Sequence, residues 1–101
     1  MSRHIVTTSE NEIVVGVDRP LNHVFASVFD VKGKNAGEVS KGFNPFSWFE
    51  PTPKGVDAAI KAVEDFSSKK MPENMKQALL DDLDSMVRGE NLNRVAYYKP
   101  V

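Results

Sequence analysis

Cysteine is absent from the 101-residue chain. Disulfide bonds, thiolate catalysis and zinc sites built on cysteine are therefore excluded. The N-terminal residues contain no apolar run that resembles a signal peptide, and no segment approaches the length of a membrane span. A chain without disulfides fits a reducing compartment, so we expect a cytoplasmic protein with no membrane contact.

A strong excess of one charge is also missing. Lysine and arginine number 13 against 14 aspartates and glutamates, which gives a formal net charge of −1. Nucleic-acid-binding proteins usually carry a basic excess or a basic stripe, so nucleic acid is not the expected partner. Lys32, Lys34 and Lys41 lie near several aromatic residues, and weak binding to single-stranded nucleic acid stays open as an alternative.

Motifs for catalysis and for cofactors are missing as well. The sequence has neither a phosphate-binding glycine loop nor a nucleophile elbow. Its two histidines, His4 and His23, would make only a weak metal site, because no third ligand is evident. We therefore expect no catalytic residue, no metal and no cofactor. An enzyme of unknown class stays open as an alternative, and it would have to join a histidine to a carboxylate such as Asp18 or Asp30.

What is present is typical of one globular domain. Hydrophobic residues make up 41% of the chain and charged residues 27%, and about 100 residues suffice for one core. Residues 1–101 are therefore expected to form a single domain. β-branched residues predict strands at 3–8 and 12–17, and Gly16 marks a bulge or a close backbone approach.

The third predicted strand, residues 23–31, is apolar on both of its faces. Val24 and Val28 point to one side, whereas Phe25 and Phe29 point to the other. This pattern is typical of a central strand that is covered on both sides. A glycine-rich turn follows, and a fourth strand is expected to start near residue 38.

The second half of the chain changes to a helical period. Thr52 and Pro53 predict the cap and the first position of a helix, which continues as an apolar stripe. Pro72 opens a second amphipathic helix that ends before Gly89, and residues 94–101 predict a last strand. The expected fold class is α+β. It combines a mostly antiparallel sheet of three to five strands, an N-terminal meander plus a C-terminal strand, with two helices packed against it.

Residues 14–30 carry a pattern that reads G-x-D-R-P-L, three further residues, F-A-x-V, and an aromatic residue followed by aspartate. The matching positions are Gly16, Asp18, Arg19, Pro20, Leu21, Phe25, Ala26, Val28, Phe29 and Asp30. The segment resembles a group of small uncharacterised bacterial proteins, often from plasmids or other mobile elements. Val17 stands where that group has tryptophan, and the later aromatic loop is not part of the pattern. The resemblance implies a bacterial accessory-gene setting and brings no catalytic residues with it.

Three aspartates, Asp81, Asp82 and Asp84, lie beside one another on the second predicted helix. A magnesium site or an acid–base pair would need a further acidic residue at helical spacing. The pattern is typical of a solvated helix face opposite the apolar stripe. An acidic contact face for a basic partner is the second interpretation.

Residues 41–55 hold four of the nine aromatic side chains: Phe43, Phe46, Trp48 and Phe49. Full burial of each contributes roughly 2–3 kcal/mol, whereas the net stability of a small domain is about 5–15 kcal/mol. Some of the four must therefore be covered, either by the core of this chain or by a partner. Trp48 is the best candidate for the partner contact, because full burial of tryptophan is uncommon.

These observations predict a small non-enzymatic protein that acts as a protein-interaction module through the aromatic loop at 43–49. Its partner would be another protein or a second copy of the chain. An alternative is a mobile-element inhibitor that binds a host or rival protein through the acidic helix face.

Overall fold

Five strands and two helices form from the residues that the computed structural model describes, which are 1–34, 36–44, 47–90 and 92–101. The strands are β1 (Ser2–Thr7), β2 (Asn11–Asp18), β3 (His23–Asp30), β4 (Ser47–Phe49) and β5 (Arg94–Tyr97). The helices are α1 (Pro53–Ser67) and α2 (Glu73–Val87). The predicted α+β class is confirmed.

The strand order across the sheet is β4-β3-β2-β1-β5. The first three strands form an antiparallel meander, and β4 continues it on the outer side of β3. The last strand pairs with β1 in parallel, because the two helices carry the chain back across the sheet before β5 begins. The expected N-terminal meander and C-terminal strand therefore share one sheet.

Gly16 lies in β2 at a close approach between strands. A Cβ atom at this position would lie 2.0 Å from the carbonyl oxygen of Ser2 and 2.8 Å from the ring of Phe25. Only glycine leaves room for the aromatic ring to lie across the strand. The predicted close backbone approach is confirmed.

The fourth strand lies later in the chain than expected. Near residue 38 the structure has an isolated bridge between Val39 and Phe29, and β4 starts at Ser47. Gly42 between them takes a φ of 90°, which an extended strand does not adopt. The strand prediction near residue 38 missed the pairing of the aromatic loop with β3.

Both helices have the boundaries that their sequences predict. The Thr52 hydroxyl accepts a hydrogen bond from the backbone N–H of Gly55 at 3.2 Å, and Pro53 occupies the first helical position. The second helix follows Pro72 and ends before Gly89, whose φ of 74° favours glycine. Neither helix of the described segments is long and apolar enough to cross a membrane.

The hydrophobic core lies between the two helices and one face of the sheet. Alternate residues in β2 and β3 and one residue of β1 contribute to it, together with the apolar stripes of both helices. Its main members are Val6, Ile13, Val15, Val17, Val24, Ala26, Val28, Val56, Ala59, Val63, Met75, Leu79, Leu83 and Met86.

The third strand lies inside the sheet with a neighbour on each side, as expected, but the expectation that both of its faces are covered is wrong. The central strand is β2, and β3 lies between β2 and β4. Val24 and Val28 are fully buried beneath the helices, whereas Phe25 and Phe29 point to the opposite face and are only half-buried. The described residues place no helix on that opposite face.

Candidate functional site

The sheet face opposite the helices, which we call the open face, is largely apolar. Its apolar members are Ile5, Val14, Phe25, Phe29, Trp48, Val95 and Tyr97. The two edges are the most accessible, since Trp48 is 60% exposed, Val95 52% and Tyr97 77%. A groove of about 390 Å³ lies in the middle of the face, with Arg3 and Glu12 among its lining residues. Ile5 and Val14 at the centre of the face are buried, so the exposed apolar surface lies mainly at the two edges. Exposed apolar side chains grouped on one face are typical of an interaction site.

The aromatic loop divides between this face and the core. Phe43 is buried and packs edge-on against Phe66, with ring centroids 5.4 Å apart. Phe49 packs partly buried against the core cluster, whereas Trp48 lies on the open face. Phe46 lies outside the described residues. Of the three aromatic residues that the structure describes here, Trp48 is the exposed one.

The pleat of β4 explains why neighbouring aromatic residues separate in this way. Successive side chains of a strand point to opposite faces, so Phe49 faces the helices when Trp48 faces away from them. Trp48 is the register partner of Phe25. Its indole ring also stacks on the imidazole of His23, with centroids 4.8 Å apart and planes 24° from parallel.

A recess of about 210 Å³ opens beside Trp48 at the end of the β2–β3 hairpin. We call it the Asp18 recess, and its lining includes Asp18, Leu21, His23, Phe25 and Trp48. Asp18 is only 8% exposed, and its carboxylate makes no hydrogen bond or ion pair with any residue that the structure describes. The described chain has no fully enclosed side-chain oxygen without a partner, so the carboxylate oxygens keep contact with solvent.

The three neighbouring aspartates of α2 do not form one surface. Asp81 is exposed and accepts a hydrogen bond from Gln77 at 3.0 Å. Asp84 is also exposed, and it pairs with Arg88 one turn later. Asp82, by contrast, is 3% exposed and points under the sheet towards His4. The acidic contact face considered from the sequence therefore loses Asp82, because consecutive helical positions point about 100° apart.

His4 is the centre of a buried polar cluster that no local sequence pattern indicates. Its Nε2 lies 2.5 Å from a carboxylate oxygen of Asp82, and its Nδ1 lies 2.7 Å from the hydroxyl of Tyr98. The other carboxylate oxygen of Asp82 lies 2.9 Å from the guanidinium of Arg94. The cluster thereby joins β1, α2 and the C-terminal strand.

The surroundings of the cluster lower the pKa of Asp82 and raise the pKa of Tyr98. Burial opposes ionisation of Asp82, but hydrogen bonds from His4 and Ser2 and the nearby positive charges hold its pKa below the ordinary 3.8. Burial raises the pKa of Tyr98 above 10.0. At neutral pH the carboxylate is thus an acceptor and the phenol is intact. The Nε2 of His4 therefore donates to Asp82, and the hydroxyl meets Nδ1 in either protonation state of the ring.

This cluster has little access to a substrate. His4 is fully buried and Asp82 nearly so. Arg94 is partly exposed, and Tyr98 borders a surface groove beside Pro72 and Lys99. A base that no substrate can reach does not perform acid–base catalysis. The arrangement supports a structural role, in which a satisfied polar network fixes the positions of three elements.

Of the histidine and carboxylate pairs considered for an enzyme, the structure brings one together: His23 and Asp18 are register partners and both line the Asp18 recess. The other pairs lie apart. His4 faces the helices and His23 the open face. His23 and Asp30 stand at opposite ends of β3, and Asp30 bonds there to Ser40 and Asn11. Across the described ranges no three histidine, aspartate or glutamate side chains come close enough to hold a metal.

The lysines considered for nucleic acid lie in the connection after β3. All three, Lys32, Lys34 and Lys41, are exposed. Lys32 approaches Glu10 to 3.9 Å, a distance at which neighbouring negative charge offsets part of its attraction for phosphate.

No protein-family model, curated protein or solved structure matches the chain. What the protein does is therefore inferred from its own side chains and their geometry.

Proposed function

We propose that this chain is a protein-interaction module that binds a protein partner on the open face of its sheet. The single observation that carries the proposal is the exposed Trp48 beside the half-buried Phe25, on a face from which both helices are absent. Tryptophan is the residue type most enriched in the energetic centres of interfaces. A fixed strand also holds it at low entropic cost on binding.

The dimensions of the face suit a protein rather than a small molecule. Five strands spaced by about 4.8 Å, with up to eight residues each, give a surface of at most roughly 20 by 25 Å. Such an area, about 500 Å² in projection, approaches the roughly 800 Å² that each partner buries in a standard interface. Loops around the hairpin, including the exposed Leu21, extend it further.

Two single variants of matched character test the proposal. Trp48→Ala removes the exposed ring from the open face, whereas Val87→Ala trims an apolar side chain that is 73% exposed on α2. Partner capture from source cells by tagged chain, with crosslinks mapped by mass spectrometry, is compared for both variants. Sedimentation over a range of protein concentrations measures self-association in parallel.

We expect Trp48→Ala to weaken the partner contact by about 2 kcal/mol or more, roughly thirtyfold, and Val87→Ala to leave it unchanged. Crosslinks should fall on the open face. A mass that rises with concentration and depends on Trp48 would identify the partner as a second copy. Equal capture by all three proteins would contradict the proposal. Loss of capture only on neutralising Asp81 and Asp84 would move the contact to the acidic surface of α2.

A further inference from the structure

We infer that the Asp18 recess is a binding site for a guanidinium group, supplied by an arginine side chain of the protein that docks on the open face. The inference rests on the proposed function for the source of this group. The recess itself is a property of the hairpin end, and its chemistry can be tested without the partner.

Asp18 is a buried residue whose carboxylate has no partner among the described residues. Asp18 as a residue is 8% exposed. Its carboxylate makes no hydrogen bond or ion pair with the described residues and keeps contact with solvent, and the residue lines the recess. Buried carboxylates are normally paired or hydrogen-bonded, since desolvation without a partner is costly. A cation delivered from outside would complete this site.

Aromatic rings form one wall of the recess. The indole of Trp48 and the imidazole of His23 stack nearly parallel at 4.8 Å, and Phe25 adds a further ring to the lining. A cation over the face of an aromatic ring, tryptophan above all, is attracted by the ring quadrupole. A carboxylate and an aromatic wall in one recess thus offer two attractions for the same charge.

The shape and the hydration of the two cations favour guanidinium over ammonium in this recess. Guanidinium is planar, so it can lie along a ring face while its N–H groups meet both oxygens of a carboxylate. An ammonium is a strongly hydrated point charge and loses more on entering a recess with an apolar lining such as Leu21 and Phe25. The volume of about 210 Å³ is below the roughly 300–1,000 Å³ of sites for drug-sized ligands. One side-chain head is the occupant that fits.

The chain carries its own reporter for the test, because Trp48 is its only tryptophan. Fluorescence is titrated with N-acetyl-arginine amide. Separate titrations use N-acetyl-citrulline amide, which is a neutral isostere, N-acetyl-lysine amide and tetramethylammonium, all at equal ionic strength. Backbone amide NMR shifts of the unmodified chain locate the response. We expect saturable binding of the arginine probe in the millimolar range, with shifts at Asp18, His23 and Trp48, and at least tenfold weaker binding of the other three probes.

A pair of carboxylate variants identifies the group that binds. Asp18→Asn removes the charge from the recess, while Glu12→Gln removes one from the same open face but outside the recess lining. Asp18→Asn should weaken binding of the arginine probe by roughly tenfold to a hundredfold, and Glu12→Gln by less than about twofold. Thermal unfolding by circular dichroism checks that both variants fold. If Asp18→Asn does not fold, the NMR shifts of the unmodified chain decide the location.

Several outcomes would overturn the inference: equal responses to arginine and citrulline probes, equal or tighter binding of lysine or tetramethylammonium, shifts elsewhere in the chain, or affinity unchanged by Asp18→Asn. These outcomes are separable from a failure of the proposed function. Partner capture that depends on Trp48 without arginine binding would leave the docking face intact and refute the recess. Arginine binding together with partner capture that is unchanged by Trp48→Ala would support the recess and refute the docking face.

Discussion

Replacing Asp82 with asparagine should destabilise the protein far more than the same change at Asp81 beside it. Both substitutions remove one negative charge from α2 and keep the size of the side chain. Asp81 is exposed with a single contact to Gln77, whereas the carboxylate of Asp82 meets both His4 and Arg94 beneath the sheet. The comparison therefore isolates the buried cluster from general effects of helix charge.

The magnitude follows from the burial of each partner. Removing one member of a fully buried ion pair costs about 3–5 kcal/mol. Arg94 is 44% exposed and regains some hydration, and asparagine keeps part of the hydrogen bonding, so we expect about 2–3 kcal/mol for Asp82→Asn. For a domain of this size that corresponds to a fall of roughly 10–20 °C in Tm. Asp81→Asn should stay within about 0.5 kcal/mol.

Urea denaturation followed by far-ultraviolet circular dichroism measures both differences, and its pH dependence checks the cause. The pKa of Asp82 is lower in the folded chain than its ordinary 3.8. The stabilisation is therefore present in full above pH 3.8 and is lost as the pH falls through the folded-state pKa. The gap between wild type and Asp82→Asn should be constant at higher pH and shrink below that value. Equal free energies of unfolding for Asp82→Asn and Asp81→Asn would refute the role given to the buried cluster. A difference between wild type and Asp82→Asn that does not change at low pH would refute it as well.

Three further changes have defined outcomes. Gly16→Ala should cost about 1–3 kcal/mol in urea denaturation, because its Cβ would collide with the Ser2 carbonyl and the Phe25 ring; wild-type stability would show that the close approach relaxes freely. Thr52→Ala should cost about 1 kcal/mol through loss of the α1 cap, and Thr52→Ser should restore it. Tyr98→Phe should destabilise by about 1–3 kcal/mol and remove an alkaline transition. Because the pKa of Tyr98 is raised in the folded chain, the stabilisation that the phenol provides is present below pH 10.0 and is lost as the pH rises through the folded-state pKa. A urea midpoint that depends on pH in the same way in Tyr98→Phe and in wild type would contradict this expectation.

Local patterns in the sequence were sufficient wherever a few neighbouring residues decide the structure. Thr52 and Pro53 specify a helix start through a side-chain cap and a fixed φ, and the structure has that start. The alternation of β2 and β3 specifies strands, and their tight connection makes them antiparallel. These features need no knowledge of the rest of the chain, which is why they could be predicted.

The candidate site was only partly accessible in the same way. An aromatic loop with one outward tryptophan could be expected from composition, because four large rings cannot all remain in water. The pairing of that loop with β3, which makes Trp48 part of a sheet face, depends on contacts across 23 residues between Phe25 and Trp48. The recess beside it joins Asp18, His23 and Trp48, three residues without a common spacing pattern.

By itself, the sequence determined both helices, four of the five strands, the α+β class and the kinds of chemistry that an absence of cysteine removes. Only the tertiary structure decided which apolar faces are covered. Phe25 and Val24 are equally apolar in sequence, yet the helices cover one and leave the other accessible. Two helices of 15 residues each can lie on only one side of the sheet when short connections join them to it. The same packing places Asp82 under the sheet against His4, which is 78 positions away in the chain. A local sequence pattern cannot predict a contact across such a separation.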